Sequence, residues 1–582
     1  MAEDVFRYLL GLVGSAAAAD AIIKSMTAAS RPPSTVLNLR ERFSDPEYTV
    51  VVQPPTGPKG PQPMVVNRYG DWIVDPYGTI QNPAACPPGQ SCVGQKTQTA
   101  GIQEAINYVY NTYGGGKVFI RSGTYQLSKY VNILNGNIMI IGENKFSTVI
   151  TNPTQTIFNV LTSNVEIANL TLQDAGEYFI LTQPTQYGQV IENIYYHDLR
   201  IIGGNSIGTG QFMFIDNVTN SSGQVYSQTM GNVDFKHVLL ERIYINTEGK
   251  TGANEILDFL NIQPVDFKVR DLYIEGTQNY SIEFGLFGGE ITLEDVTVVS
   301  GNMVLGASNN PTYVTLKNVK SLPWVSSTEG YPLLQLAQNT NTNGYMPIFL
   351  KVSGRNPPLI VAQVNNTPYP LIEELDIEDA VYDNPNIGNI IYNVAAKVIN
   401  ISHVTFPQNF GSAYSGIGQI APGIALPPLS LSATINVNLE DVLIGYPNNN
   451  QGYANVIGFN SPASSSATVK YAVRISGQFP LSGSNAVVIV NGNGYPTFWQ
   501  AVLSNPNLFL YLDVDATDST TGTYYKMKIV PGLSVSTPSV PSSGSAAQNT
   551  YQFPVLVYLY GGTVTEVQIT RNGNTYTVFS NS

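Results

Sequence analysis

The chain has little charge. Asp, Glu, Lys and Arg make up 12% of its 582 residues, about half the usual share of roughly 25%, so its polarity rests on Asn, Thr, Ser, Gly and 35 Tyr. The charge present is acidic: 28 Lys and Arg stand against 41 Asp and Glu without any basic run, and the net charge of −13 repels a phosphate backbone. Nucleic acid is therefore excluded as a partner. With few carboxylates, few groups can lose their native partners as the pH falls, which suits an acidic exterior. Apolar runs are short as well. The stretch YLLGLVGSAAAA, between Arg7 and Asp20, spans about a dozen residues where a bilayer crossing takes roughly 20, so no membrane span is expected. There is no Asp-Asp pair and no clustered Asp face.

Cysteine is nearly absent. The 2 that occur, Cys86 and Cys92, flank a Pro-Pro-Gly turn in CPPGQSC, which brings them close enough for a small surface disulfide and matches no zinc motif. The 3 histidines, His197, His237 and His403, all fall inside repeat motifs; they read as polar coil positions, without the pattern of a triad or metal site. No metal ligands and no cofactor are assigned, and GGNSIGTG (203–210) lacks the βαβ surroundings of a dinucleotide loop.

What is present is organised along the chain. Val5, Phe6, Leu9, Leu10, Val13 and Ala17 share one helical face, so residues 1–30 are expected to form an anchoring helix that docks on a partner or bundles with copies of itself. SAAAADA resembles a signal-cleavage site, but MAEDVFR is not a basic leader. Residues 31–70 are proline-rich and form a spacer.

From about residue 130 one pattern recurs. It appears in NVEIANLTLQD (164–174), VIENIYYHDLRIIG (190–203), VDFKHVLLERIYIN (233–246), VDFKVRDLYIEG (265–276), GEITLEDVTVVSG (289–301) and PTYVTLKNVKS (311–321), with weaker copies at 371–382, 395–406 and 433–445. Their central polar residues are Asn169, Asp198, Arg242, Asp271, Asp295 and Asn318. Period-2 alternation, as in Ile291, Leu293, Val296 and Val298, sends one set of side chains inward, and repeats of this length stack into a solenoid. The intervals 203–233 and 320–370 are expected to be loops or extra strands.

The start of this region carries a more specific signal. TAGIQEAINYVY (99–110) has the spacing of a helix with one apolar stripe, here taken as 99–111; it is followed by Gly114-Gly115-Gly116, KVFI and SGTY, and then by IIGENKFSTVI (140–150). In order and spacing this resembles the first coil of the pectate-lyase-like right-handed parallel β-helix superfamily, with Arg121-Ser122 where that family usually has proline. The resemblance covers roughly 70–445 and implies an all-β chain with a right-handed parallel β-helix over 71–445. Polygalacturonase and pectate-lyase signatures are missing, which makes those activities unexpected. Tail-spike hydrolases leave no local motif, and Asp258, Glu275 and Glu283 are the low-ranking candidates for a carboxylate pair of that kind.

Beyond residue 446 short strand-like runs separated by turns predict a C-terminal antiparallel β-sandwich, jelly-roll-like, over 446–582, with Arg571-Asn572-Gly573-Asn574 as a hairpin turn. Six sequons, at Asn169, Asn217, Asn220, Asn279, Asn365 and Asn400, are candidate glycosylation sites. The order of parts resembles viral tail-spike, turret and fibre proteins, including those of archaeal viruses. It implies a non-catalytic homotrimer on the virion surface, held to a capsid or tail/base protein by the N-terminal helix and meeting a host-surface glycan or glycoprotein. A polysaccharide-degrading β-helix enzyme and a secreted or cell-surface adhesion protein are the alternatives.

Overall fold

A computed structural model describes Trp72–Val74, residues 97–205 except 187, and, between 213 and 580, the strands with some of the turns that join them. The segments 1–30 and 31–70, Cys86 and Cys92, and Asn217, Asn220, Asn279 and Asn365 lie outside the described residues.

The chain separates into two compact units, Met1–Pro531 and Gly532–Ser582. The first is a parallel β-helix. Its described strands form a 21-stranded and a 14-stranded sheet, and nearly every pairing is parallel between one coil and the next, as in Phe235–Asn246 with Pro264–Glu275 and Pro264–Glu275 with Gly289–Val299. Connections between parallel strands of one sheet wind right-handed. The inward set is as expected: Ile167, Leu172, Ile291, Leu293, Val296 and Val298 have no exposed surface. Aromatic rings also stack along the interior, Phe259 on Phe284 with centroids 5.6 Å apart.

The recurring central polar residues have a backbone explanation. Asn169, Asp198, Arg242, Asp271, Asp295 and Asn318 all lie in the left-handed region, with φ between 51 and 59°. Each makes a sharp corner between two strand segments of a coil, a conformation that Asn and Asp adopt more readily than most residues. Asp379 and His403 make corners in later coils. Tyr345–Arg355 forms a complete rung between Thr312–Lys317 and Leu371–Val381, so 320–370 is not simply a loop. Its corner is Gly354, with φ 110°, and a Cβ there would lie 2.6 Å from the Asn318 Cα.

The helix Ile102–Tyr113 buries Ile102, Ala105, Ile106 and Val109 and ends at Gly114, whose N–H donates to the Tyr110 carbonyl. Gly115 and Gly116 then pass so close to the next coil and to the helix that a Cβ would come within 2.5 Å of the Asn137 carbonyl oxygen or 2.7 Å of Val109. Ser122 N–H donates to Glu143 at 2.7 Å, a bond that a proline at this position lacks.

The parallel stack continues past residue 445, which corrects the expected boundary. Val469–Phe479 pairs in parallel with Ala433–Leu443, and Phe509–Asp518 pairs in parallel with Val469–Phe479. Here the polar corner that marks earlier coils is gone, and the strands read as those of another domain. The last described strand of this unit, Tyr524–Ile529, lies antiparallel on Phe509–Asp518. In the second unit the described residues form one antiparallel hairpin, Glu566–Arg571 with Asn574–Ser580, in which Arg571 and Asn574 bracket the expected two-residue turn. Among the described residues the strands expected of a sandwich are thus partly coils and partly this hairpin.

Candidate functional site

Stacked parallel strands place corresponding side chains about 4.8 Å apart along the outer face, so like charges in one column repel and opposite charges attract. One column obeys this along five coils: His197, Glu241, Arg270, Glu294 and Lys317 follow one another in register, and the signs alternate when His197 is protonated. Lys317 Nζ lies 2.6 Å from Glu294. Arg270 Nε lies 3.8 Å from Glu241 and 3.6 Å from the corner residue Asp271.

His197 is the hub of the column's first half. Its Nε2 lies 2.8 Å from Glu166 Oε1 and its Nδ1 2.7 Å from Asp198 Oδ2, and its ring stacks on Tyr195 with centroids 4.0 Å apart. Arg242, itself a corner residue, donates to both Asp198 oxygens, from Nε at 2.8 Å and from Nη2 at 2.6 Å. It also pairs with Glu241, which accepts the Tyr195 hydroxyl at 2.9 Å. Glu241 has no exposed surface and Glu166 only 5%.

These contacts set the protonation states. Burial opposes an imidazolium at position 197, but hydrogen bonds to Asp198 and Glu166 outweigh it and hold the His197 pKa above its ordinary value. Burial would likewise raise Asp198, yet hydrogen bonds from Arg242 and His197 hold it far below the usual carboxylate range. Asp198 is consequently a poor proton donor or acceptor near neutrality. The network's best-paired groups are turned toward one another, which is the arrangement of a structural clamp. Glu166 Oε2 is buried without a hydrogen-bond partner. The other two histidines each face an Asp as well, His237 at 3.0 Å from Asp266 and His403 at 3.3 Å from Asp379. The neighbour of His197 is adjacent in sequence, whereas the other two lie one coil away. Among the described residues no group of three or more His, Cys, Asp or Glu is placed to hold a metal ion, and no helix is long and apolar enough to cross a membrane.

Past the corner the outer face changes character. Arg200, Tyr244, Tyr273, Thr297 and Lys320 occupy one column in register. Tyr244 and Tyr273 stack with centroids 5.4 Å apart and planes 8° from parallel. Beside them Asn246 Nδ2 donates to the Tyr244 hydroxyl at 2.9 Å and to Glu275 Oε2 at 3.3 Å. Arg200 and Lys320, at the two ends, carry no side-chain ion pair or hydrogen bond among the described residues. Sequence reading found the abundance of tyrosine but not this column, because register across coils cannot be counted from one strand.

Of the three carboxylates singled out from the sequence, the structure brings two together. Asp258 and Glu283 are in register on adjacent strands of the 14-stranded sheet. Glu275 lies on the other sheet, in register with Asn246 and Val299. Asp258 has no exposed surface, so a polysaccharide cannot reach it in this conformation. Two sequons can be placed. Asn169 is a corner residue whose Nδ2 donates to the Gly142 carbonyl at 2.7 Å, and Asn400 Nδ2 donates to Asp376 at 2.7 Å and to Glu374 at 3.1 Å. A glycan leaves one N–H on the nitrogen it joins, so at Asn400 it costs at least one of the two bonds.

No protein-family description and no curated protein matches the sequence. Similar folds occur among solved structures. A mutant tailspike protein of E. coli bacteriophage HK620 in complex with a pentasaccharide aligns over 82% of this chain and 86% of its own, with 12% identity and a TM-score of 0.40. The A-module of the Azotobacter vinelandii mannuronan C-5 epimerase AlgE6 aligns over 72% and 98%, with 13% identity and a TM-score of 0.31. The catalytic domain of a GH87 α-1,3-glucanase in complex with nigerose aligns over 67% of this chain but only 64% of its own, with 12% identity and a TM-score of 0.33. Identities this low bear on fold alone.

Proposed function

We propose that the protein is a virion-surface spike or fibre that binds a host-surface glycan or glycoprotein and leaves it intact. The observation that carries this reading is the outward column of stacked Tyr244 and Tyr273, bracketed by Arg200 and Lys320. Tyrosine combines an apolar ring with a hydroxyl, a chemistry suited to sugars, and the two cations are left over for a ligand. The coil stack beneath holds the column rigid, because each strand is hydrogen-bonded to the coils on both sides. In this reading the N-terminal segment docks on a capsid or tail/base protein, the spike is a homotrimer, and its setting is the virion exterior. The closed network around His197 and Glu241 is then structural.

Incubating the purified protein with host-surface glycans tests the proposal. Retention without release of shorter oligosaccharides is the expected result; release overturns it. A second reading, a polysaccharide-cleaving enzyme, draws on the register of Asp258 with Glu283 on adjacent strands, as a retaining carboxylate pair needs two close carboxylates, and requires that Asp258, which has no exposed surface, be uncovered when the glycan binds. If cleavage is found, Asp258→Asn abolishes it on that reading.

A further inference from the structure

The ionic column pairs its charges within the chain. Another column on the same side of the coil corners does not. Glu290, Tyr313, Phe349 and Glu374 follow one another in register on successive coils, in the order acid, ring, ring, acid. Thr312 and Val314, on either side of Tyr313, are buried, as are Ile348 and Leu350 on either side of Phe349, so both rings point outward. The rings stack with centroids 4.8 Å apart and planes 13° from parallel. Tyr313 nevertheless stays 48% exposed, and Glu290 is exposed as well. Because Phe349 covers one face of the Tyr313 ring, the other face is turned to the preceding coil, where the column holds Glu290. A glutamate is shorter than a tyrosine, so this carboxylate stands at the foot of the open ring face.

Among the described residues neither acid has an ion-pair partner. Glu374 accepts the Asn400 amide at 3.1 Å. The lysines that follow the rings on the same strands are engaged elsewhere, Lys317 with Glu294 and Lys351 with Glu378. Burial, and after it repulsion from Asp376, raises the Glu374 pKa above its ordinary value, the condition of a carboxylate short of positive charge. An exposed aromatic face beside an unanswered carboxylate is complementary to a guanidinium, which lies flat on the ring and offers paired N–H donors to the acid. An ammonium brings the charge without the plane. One solvated carboxylate and one ring hold a lone guanidinium weakly, so the contact counts as an anchor within a larger interface, the setting in which arginine and tyrosine are enriched between proteins.

We propose that Tyr313 and Glu290 seat an arginine side chain of a partner protein, its guanidinium flat on the Tyr313 ring and its N–H groups on the Glu290 carboxylate. Glu374, at the far end of the ring pair, adds negative charge that draws an arginine-bearing surface to the patch. The corners at Asp295 and Asn318 separate this patch from the Tyr244 and Tyr273 column, and it does not depend on glycan binding.

The test uses the full chain and fluorescence anisotropy with labelled peptides of one length whose glycine-spaced positions are arginine, lysine or citrulline. Expected is binding of the arginine peptide at least about threefold tighter than the lysine peptide, the scale of an exposed cation–π contact, with the neutral citrulline peptide weaker than both. Tyr313→Leu removes the preference for arginine. Glu290→Gln weakens arginine-peptide binding by about threefold, whereas Glu248→Gln, which deletes an equal exposed charge on another coil, leaves it unchanged. Circular dichroism and the thermal midpoint show that each variant is folded. No binding of the arginine peptide, equal binding of any two peptides, or a preference that survives in folded Tyr313→Leu overturns the seat. An equal loss in Glu290→Gln and Glu248→Gln reduces it to unspecific attraction and overturns it too. Sedimentation velocity then decides the occupant: self-association of the wild type that both Tyr313→Leu and Glu290→Gln abolish makes the arginine that of a second copy, which overturns the partner protein.

Discussion

Two parts of one outer face solve the same problem with different chemistry. Side chains stacked about 4.8 Å apart must satisfy one another or repel. In the earlier coils the column from His197 through Glu241, Arg270 and Glu294 to Lys317 alternates in charge. In the later coils Asp376, Asn400 and Asn438 form an amide ladder, in which Asn438 Nδ2 donates to Asn400 Oδ1 at 2.7 Å and Asn400 in turn donates to Asp376. An amide is donor and acceptor at once, so it can be repeated from coil to coil without alternation. Ions cannot be repeated in this way, and each depends on the next having the opposite sign. The ionic column is therefore the more fragile to substitution and the more sensitive to pH.

The largest expected contrast comes from cutting the two ladders. Glu241→Ala removes the buried carboxylate that pairs with Arg242 and Arg270 and accepts the Tyr195 hydroxyl, leaving Arg242 only Asp198 and Arg270 only Asp271, a loss of about 3 kcal/mol, as for breaking a buried pair. Asn400→Ala removes three ladder hydrogen bonds at a half-buried position and costs about 1–2 kcal/mol. Denaturant titration of both variants measures the difference, and similar losses would end the distinction between the columns. Next in size, Gly354→Ala places a Cβ 2.6 Å from the Asn318 Cα at a φ of 110°, costing about 2 kcal/mol or more, whereas Asn318→Gly in the preceding corner costs less than about 1 kcal/mol. Both positions make the same turn, so the contrast isolates the close approach.

The pH response separates the columns further. His197 has a raised pKa, so its stabilisation is fully present below the unfolded value of about 6.5 and is lost as pH rises through the folded value. Above that point a neutral imidazole donates to only one of Glu166 and Asp198, beside the Arg242 guanidinium. The thermal midpoint of the wild type should fall as pH rises through this window, and that of His197→Gln should be lower in acid and flatter. Asn400→Ala should shift the midpoint by the same amount at every pH in the window. The smallest effect belongs to the exposed end of the ionic column: Lys317→Gln removes the bridge to Glu294 and costs under about 1 kcal/mol, less still at high salt. A larger loss would show that the alternating charges act cooperatively along the column.

Much of the fold was legible because coil corners leave a chemical trace. Asn169, Asp198, Asp271, Asp295 and Asn318 combine a left-handed backbone with residue types that tolerate it, and alternation on either side gave the inward set. The Ile102–Tyr113 helix and its glycine stop were equally plain. Where the trace changes, reading stopped: Gly354 hid one coil, and the coils of Val469–Phe479 and Phe509–Asp518 passed for a separate domain. The candidate site was less legible. His197 and Asp198 are neighbours in sequence, but Glu166, Glu241 and Arg242 meet them only through the register of separate coils. Tyr273, Thr297 and Lys320 likewise share a column that no spacing within one strand reveals.

The antiparallel strand Tyr524–Ile529 has a consequence for length. A pile of similar coils has no natural end, and a bare final rung is a template on which another parallel strand, from the same molecule or from another, can be laid. Tyr524–Ile529 reverses direction on the last parallel rung among the described residues, while the helix Ile102–Tyr113 packs its apolar stripe at the opposite end. Both terminators are built from residues outside the repeat. Coils can accordingly be gained or lost between them without disturbing either, and the reach of the molecule becomes a quantity that duplication and deletion can tune.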